Sequence, residues 1–167
     1  MTTNTTIDRL FISWEKLHRD AKSLAQKLQS AGPWKGIIAV TRGGLTPAMI
    51  VARELNILIF ETIVVDGYQH GDGDHATQDE PAILKYPANV GDGAGWLMID
   101  DLVTTGRTAG VLRKLLPKAH FAAVYIKPMG KSLVDTFVTE IGQNTWIYMP
   151  WYNELQFTQL PGAPAKK

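Results

Sequence analysis

LMIDDLVTTGRTA, at residues 97–109, is the most informative stretch of this sequence. Three apolar residues that predict a strand lead into Asp100 and Asp101, and a Thr-Thr-Gly turn then leads into a predicted helix. At the carboxyl end of a strand in an α/β sheet, such a turn and helix N-terminus expose backbone N–H groups that suit a phosphate. The two carboxylates suit sugar hydroxyls, a divalent cation, or both. The stretch therefore predicts a sugar-phosphate site, although solvated aspartates before an ordinary capped helix would show the same pattern.

The sequence on either side of this stretch alternates between apolar runs and helical patterns. Ser13 can cap a helix that begins near Trp14 and ends before Gly32, a second helix follows the TRGG turn at residues 41–44, and a third ends before Pro117. Alternation of this kind predicts an α/β domain whose central, mostly parallel sheet is flanked by helices. The predicted strands are residues 36–40, 58–65, 96–99, 120–126 and 134–141.

The length of 167 residues predicts a single domain over residues 1–167. Residues 66–95 are long, polar and rich in glycine and aspartate, so we expect a flexible hood or lid loop in which only residues 82–86 are structured. Aromatic residues at 146–152 close the folded part, and residues 161–167 are expected to form a frayed tail.

Composition excludes several classes of site and partner. The chain has no cysteine, which rules out disulfides, thiolate nucleophiles and cysteine-ligated zinc. Its net charge is +1 with no run of lysine or arginine, so we expect no nucleic-acid partner. No apolar run approaches the roughly 20 residues that span a bilayer. We therefore expect a cytoplasmic protein, and peripheral attachment to the inner membrane face stays open.

The stretch at residues 97–109 resembles the signature of type I phosphoribosyltransferases, in which apolar residues, two acids and two apolar residues precede a Thr-Gly turn. WKGIIAVTRGGLTPAMIVAREL (34–55), AVYIKPMG (123–130) and NTWIYMPW (144–151) extend the resemblance over nearly the whole chain, to the purine-salvage branch. It implies the type I phosphoribosyltransferase fold with a mobile hood loop, Mg²⁺ as cofactor, and a homo-oligomer, a tetramer in this branch. The implied reaction converts an oxopurine (xanthine, guanine or hypoxanthine) and phosphoribosyl diphosphate to the nucleoside monophosphate and diphosphate.

The resemblance also implies which residues hold phosphoribosyl diphosphate. Asp100 and Asp101 would hold the ribose hydroxyls, with Asp101 also close to Mg²⁺ as the metal ligand. The rigid charge of Arg42 and the close backbone approach that Gly43 allows would serve the diphosphate. From the residues alone, a simple left-handed turn with a surface arginine is the better interpretation of the TRGG segment. The loop that would wrap the 5-phosphate consists of Thr104, Thr105, Gly106, Arg107 and Thr108.

Three further residues are implied in binding the purine. Lys127 would donate to the 6-oxo group and so select oxopurines over adenine. Trp146 would stack on the purine face, and the backbone of Ile147 would read the 2-position. A surface lysine and an aromatic cluster packed on the core are the alternatives, and for Trp151 we favour packing. In the hood, Lys85 or, less well supported, Tyr86 falls near a basic residue that contacts the diphosphate.

The sequence departs from the family pattern in two segments, the loop at residues 104–108 and the base-binding segment. Thr104 stands where oxopurine enzymes usually carry an aspartate placed to act on purine N7, and threonine does not titrate usefully near neutral pH. We therefore take Asp100, Asp101 and Thr104 as the catalytic candidates and expect a slower or differently selective enzyme. Tyr148, Tyr152 and Asn153 replace acidic residues, and Arg107 replaces a small one. A non-catalytic nucleotide sensor and a transferase with shifted base specificity remain as alternatives.

Overall fold

A computed structural model of the chain describes residues 8–66 and 81–152. The strands are β1 (Arg9–Phe11), β2 (Gly36–Thr41), β3 (Phe60–Asp66), β4 (Ala82–Lys85), β5 (Trp96–Val103), β6 (His120–Ile126), β7 (Thr136–Glu140) and β8 (Trp146–Tyr148). The helices are α1 (Trp14–Gln29), α2 (Leu45–Glu54) and α3 (Arg107–Leu115), with 3₁₀ turns at Pro128–Leu133 and Pro150–Tyr152. The expected tail, Asn153 and residues 67–80 of the expected lid lie outside the described residues, so the lid stays a prediction.

The main sheet has six strands in the order β4-β3-β2-β5-β6-β7. All its neighbouring strands are parallel except β3 and β4, which confirms the predicted, mostly parallel sheet. From β2 the chain continues through α2 to β3 on one side, and from β5 it continues through α3 to β6 on the other. The strand order therefore reverses between β2 and β5, which is where open α/β sheets bind ligands.

Apolar side chains cover both faces of the sheet. On one face, Leu24 of α1 and Val51 of α2 belong to one core cluster with Ile99 of β5. On the opposite face, Leu112 of α3 belongs to a second cluster with Met98 of β5. Successive residues of a strand point to opposite faces, so the apolar residues of β5 contribute to both clusters. This arrangement confirms a sheet flanked by helices.

The first helix begins where its cap predicted. The Ser13 hydroxyl accepts a hydrogen bond from the Lys16 backbone N–H at 3.1 Å, and α1 begins at Trp14. Its apolar stripe is buried against the sheet, as its spacing predicts. The described residues contain no helix with the length and apolar character that crossing a membrane requires. The buried apolar residues of α1 are Leu17, Ala21, Leu24, Ala25 and Leu28.

Several predicted boundaries are wrong. The strand expected to end at Ile99 continues to Val103, because β5 keeps pairing with β6 as far as Val103 and Ile126. The strand expected from Leu58 begins at Phe60 and ends at Asp66. The predicted 134–141 strand covers only Thr136–Glu140, and the third helix begins and ends one residue earlier than the expected 108–116.

The residues before α1 include the strand β1, which was not predicted from the sequence. β1 pairs in parallel with β8 in a separate two-stranded sheet, with Arg9 opposite Trp146 and Phe11 opposite Tyr148. The rings of Phe11 and Tyr148 stack with centroids 4.6 Å apart. The beginning of the described chain thus holds the segment in which the base-binding residues were predicted.

A buried polar contact ties α1 to the sheet. Tyr125 of β6 is fully buried, and its hydroxyl donates to Asp20 Oδ2 of α1 at 2.7 Å. The Lys16 ammonium donates to the same carboxylate oxygen at 2.6 Å. Burial, reinforced by the hydrogen bond to Asp20, raises the pKa of Tyr125 well above its usual value. The phenol therefore stays protonated and serves as a permanent donor.

Replacing Tyr125 by phenylalanine should lower the free energy of unfolding by about 1–2 kcal/mol, because Asp20 loses a buried donor. Tyr86→Phe is the matched control, since Tyr86 is 61% exposed, and it should change stability by less than about 0.5 kcal/mol. Urea unfolding followed by circular dichroism measures both. Equal effects of the two substitutions would contradict a stabilising role for the Tyr125–Asp20 bond.

Candidate active site

Two neighbouring carboxylates lie near the carboxyl end of β5. Asp100 and Asp101 are each only 9% exposed. The Asp101 N–H donates to Asp100 Oδ1 at 2.9 Å, and the Leu102 N–H donates to Asp101 Oδ1 at 2.8 Å. Burial and the adjacent carboxylate raise the pKa of Asp100 well above its usual range, and burial raises that of Asp101. The pair therefore favours ligands that donate hydrogen bonds or bring positive charge.

The turn after β2 closes over one of these carboxylates. A methyl group built on Gly43 would overlap the Asp101 carboxylate, with Asp101 Cγ at 2.5 Å. The Gly44 N–H donates to the Val40 carbonyl at 2.8 Å and so begins the connection to α2. The peptide bond between Thr41 and Arg42 is cis, and Arg42 is exposed. The structure thus brings the TRGG turn and the acidic pair together at the β2–β5 reversal.

The loop after β5 bends at residues 104–106 before α3 begins. Thr104 and Thr105 are exposed, while Gly106 is buried and adopts the left-handed φ of +83° that favours glycine. The N-cap of α3 makes no side-chain hydrogen bond, and its first turn contains no acidic residue but begins with Arg107. Backbone N–H groups and positive charge therefore meet at this helix N-terminus, an arrangement that binds anions.

Lys127 directly follows β6, on the neighbouring strand of the sheet. Its backbone N–H donates to the Val103 carbonyl at 2.8 Å, which fixes its position beside the end of β5. Its ammonium donates to the Gln143 carbonyl at 3.1 Å. Burial lowers the pKa of Lys127. The lysine is thus partly buried and held at the same edge of the sheet as the acidic pair.

The predicted base-binding segment lies on β8. The side chain of Trp146 is 60% exposed, whereas Ile147 is 8% exposed. The Trp146 N–H donates to the Asp8 carbonyl at 2.7 Å, and the Thr145 hydroxyl faces Asp8 Oδ2 at 3.5 Å. Asp8 was not predicted to have a role, because a single aspartate among the polar residues before β1 indicates none. Trp151 packs partly buried against the core, in line with the packing we favoured.

The hydrogen bonds of Lys85 join it to β3 rather than to the residues described above. It belongs to β4, and its ammonium donates to the Thr62 hydroxyl at 2.5 Å and the Thr62 carbonyl at 3.3 Å. Tyr86, the other candidate in the hood, is exposed directly after β4. Neither residue has a hydrogen bond to the acidic pair, so a diphosphate contact from this segment stays a prediction.

Comparison with known proteins gives the geometry a context. The profile of the family described as "Phosphoribosyl transferase domain" matches residues 13–158. A xanthine-guanine phosphoribosyltransferase of Desulfotalea psychrophila is 56% identical over 146 residues, 87% of this chain and 88% of that protein. One from Nitratidesulfovibrio vulgaris is 52% identical over 87% of this chain and 86% of its own length.

A solved structure agrees with the sequence relatives. The crystal structure of a purine phosphoribosyltransferase from Pyrococcus horikoshii superposes with a TM-score of 0.70 at 27% identity, covering 88% of this chain and 95% of that one. Because the profile spans most of the chain and its bacterial relatives share about half of its residues, the chain belongs to the phosphoribosyltransferase family, as a purine-salvage enzyme of the branch that contains the xanthine-guanine phosphoribosyltransferases.

Proposed function

We propose that this enzyme transfers the phosphoribosyl group of phosphoribosyl diphosphate to an oxopurine, giving the nucleoside monophosphate and diphosphate. The observation that carries the proposal is the contact between the TRGG turn and the buried acidic pair. It places the Gly43 backbone against the Asp101 carboxylate at the reversal of the sheet. The proposed diphosphate site and ribose site would then be adjacent, with Gly43 and Asp101 in contact between them.

Each part of the sugar-phosphate substrate has a matching group. Asp100 and Asp101 accept hydrogen bonds from the ribose hydroxyls, while Arg42 and the Gly43 N–H meet the diphosphate. The 5-phosphate lies at the N-terminus of α3, where the residues from Thr104 to Thr108 supply backbone N–H groups, hydroxyls and the charge of Arg107. Charge and hydrogen bonds held in place before the reaction lower the barrier to departure of the diphosphate.

The acidic pair also suits Mg²⁺. This ion is commonly held by one or two carboxylates together with substrate phosphates and water. Among residues 8–66 and 81–152 no group of three acidic or histidine side chains forms a complete metal cage, so Asp101 and the substrate would share the ion. When bound, Mg²⁺ neutralises negative charge on the diphosphate leaving group. Burial raises the pKa of both carboxyls, and a bound cation would stabilise their ionised forms.

Lys127 and β8 form the proposed base site. The ammonium donates to the 6-oxo group of the purine, and a 6-amino group offers it no acceptor, so adenine is rejected. Trp146 has the exposed ring that stacking on a base requires, and the Ile147 backbone reads the 2-position. The lid over residues 66–95 and the homotetramer implied by the resemblance remain predictions beside this proposal, as does the cytoplasmic location expected from the lack of a long apolar run.

Incubation with phosphoribosyl diphosphate, Mg²⁺ and each base tests the proposal. Chromatography should detect monophosphate with xanthine, guanine or hypoxanthine and none with adenine. Lys127→Met should lower kcat/KM for the oxopurines about tenfold to a hundredfold, because a charged hydrogen bond is lost. Lys35→Met is the matched control, since the Lys35 ammonium also donates to a backbone carbonyl, that of Ala94 at 2.9 Å.

The result that opposes this proposal is equally clear. If no oxopurine yields product, the chain is a nucleotide-binding protein rather than a transferase. If Lys127→Met and Lys35→Met behave alike while the wild type is active, the base site has been placed wrongly.

The turn at Gly43 can be tested separately. Gly43→Ala should lower kcat/KM for phosphoribosyl diphosphate about a hundredfold, since the added methyl group displaces the Asp101 carboxylate from its position. Gly110→Ala in α3 is the control, because a methyl group there meets nothing within 4 Å. Steady-state kinetics with varied phosphoribosyl diphosphate measures both. Wild-type kinetics in Gly43→Ala would show that the contact between Gly43 and Asp101 does not position these two sites.

Thr104 provides the test of turnover. Thr104→Asp should raise kcat on oxopurines, toward the about hundredfold gain that a positioned acid or base ordinarily supplies. Thr105→Asp is its control, because a carboxylate one residue further along weakens phosphate binding and raises the KM for phosphoribosyl diphosphate without that gain. Unchanged turnover of Thr104→Asp on all three oxopurines would show that Thr104 is not the reason for a slow enzyme.

A further inference from the structure

Gln143 contacts both the proposed base-reading lysine and the turn that follows it. Its backbone carbonyl accepts a hydrogen bond from the Lys127 ammonium at 3.1 Å. Its side-chain oxygen Oε1 accepts one from the Met129 backbone N–H at 3.1 Å. The Gly130 N–H in turn donates to the Lys127 carbonyl at 3.0 Å. One residue of the β7–β8 connection therefore contacts both the Lys127 ammonium and the backbone two residues further along the chain.

The same turn packs against the phosphate loop. A methyl group built on Gly130 would lie 3.2 Å from the Thr104 carbonyl oxygen and 3.4 Å from the Gly106 nitrogen. A methyl group on Gly106 would lie 3.2 Å from Gly130 Cα. The two backbones thus touch without space for a side chain. Any movement of the turn after Lys127 changes the distance between the base site and the 5-phosphate site.

Gln143 also leads directly into the stacking segment. The Thr145 N–H donates to the Gly142 carbonyl at 3.0 Å, which makes residues 142–145 a tight turn. Trp146 follows at once and is tied to the Asp8 carbonyl at 2.7 Å. The lysine that would read the 6-oxo group and the ring that would cover the base are therefore both anchored to this turn.

We propose that Gln143 is a positioning residue for base recognition, which fixes the Lys127 ammonium relative to Trp146 and to the phosphate loop. The inference rests on the proposed role of Lys127. An ammonium has three donors, so it can keep the Gln143 carbonyl and still donate to a purine oxygen. The side-chain bond to Met129 keeps the lysine backbone in the position that makes this possible, and losing it leaves the lysine free to take other rotamers.

Gln143→Met removes the acceptor for Met129 and keeps the length of the side chain. It should raise the KM for the oxopurine about fivefold, the effect of one hydrogen bond, while kcat and the KM for phosphoribosyl diphosphate stay at wild-type values. Gln143→Glu retains an oxygen that can accept from Met129 and should restore the base KM. Gln26→Met, on the exposed face of α1, makes the same chemical change away from the site and should have no effect.

Thermal unfolding shows whether each variant is folded. Gln143→Asn, whose shorter side chain cannot reach Met129, carries the same expectation and replaces the Met variant if that one does not fold. A base KM equal to that of the wild type, or equal losses in every kinetic constant, would overturn the inference. An inactive wild-type enzyme would instead refute the proposed function, and the two failures are therefore distinguishable.

Discussion

Burial of two neighbouring carboxylates is the constraint on which the rest of the site depends. Charged groups removed from water must be compensated, and within residues 8–66 and 81–152 two backbone N–H groups donate to this pair while the TRGG turn packs directly against Asp101. Only glycine allows that approach at Gly43, because any side chain would occupy the place of the Asp101 carboxylate. Protonation relieves part of this cost, as the raised pKa values of both carboxyls indicate, and hydroxyl groups or positive charge on a ligand would relieve more. A pair of this kind at the reversal of the sheet therefore suits the ribose hydroxyls and the Mg²⁺ ion of the proposed substrate complex.

The predictable part of this fold is local in sequence. The β6 strand and the start of α1 followed from apolar runs, capping residues and breaks at glycine and proline, and these predictions are confirmed. Aspartate disfavours strands, so β5 was expected to end at Ile99, yet pairing with β6 carries it through the acidic pair. The pairing of β1 with β8 joins opposite ends of the chain through strands of three residues, which are too short to show a period. The contacts of Asp8 and Gln143 also join residues that are distant in the sequence, so no local pattern predicts them.

The proposed reaction has two requirements, departure of the diphosphate and removal of a proton from the base. The exposed Thr104 limits only the second. Departure of the diphosphate is helped by charge and by positioning, and the groups proposed for both tasks lie on β2, β5 and α3. Removal of the proton from the base needs an acceptor, and a threonine hydroxyl is a poor one near neutral pH. Since Thr104 is exposed, water can take this proton without a protein carboxylate. In the proposed reaction the sugar-phosphate half of the site thus has the residue types that it needs, whereas removal of the proton from the base would fall to solvent.

The two halves also differ in how the fold holds them. The acidic pair and the phosphate loop belong to the central strands, whose side chains form the two core clusters. The base segment instead lies on a two-stranded ribbon that pairs over three residues, with an exposed Trp146. Ribbons of this size have little stability of their own and rely on a few contacts such as those of Asp8 and the stacked ring of Phe11. Substitutions there would alter the proposed base site without disturbing the buried carboxylates, so we expect the fold to constrain base specificity less than it constrains the sugar-phosphate site.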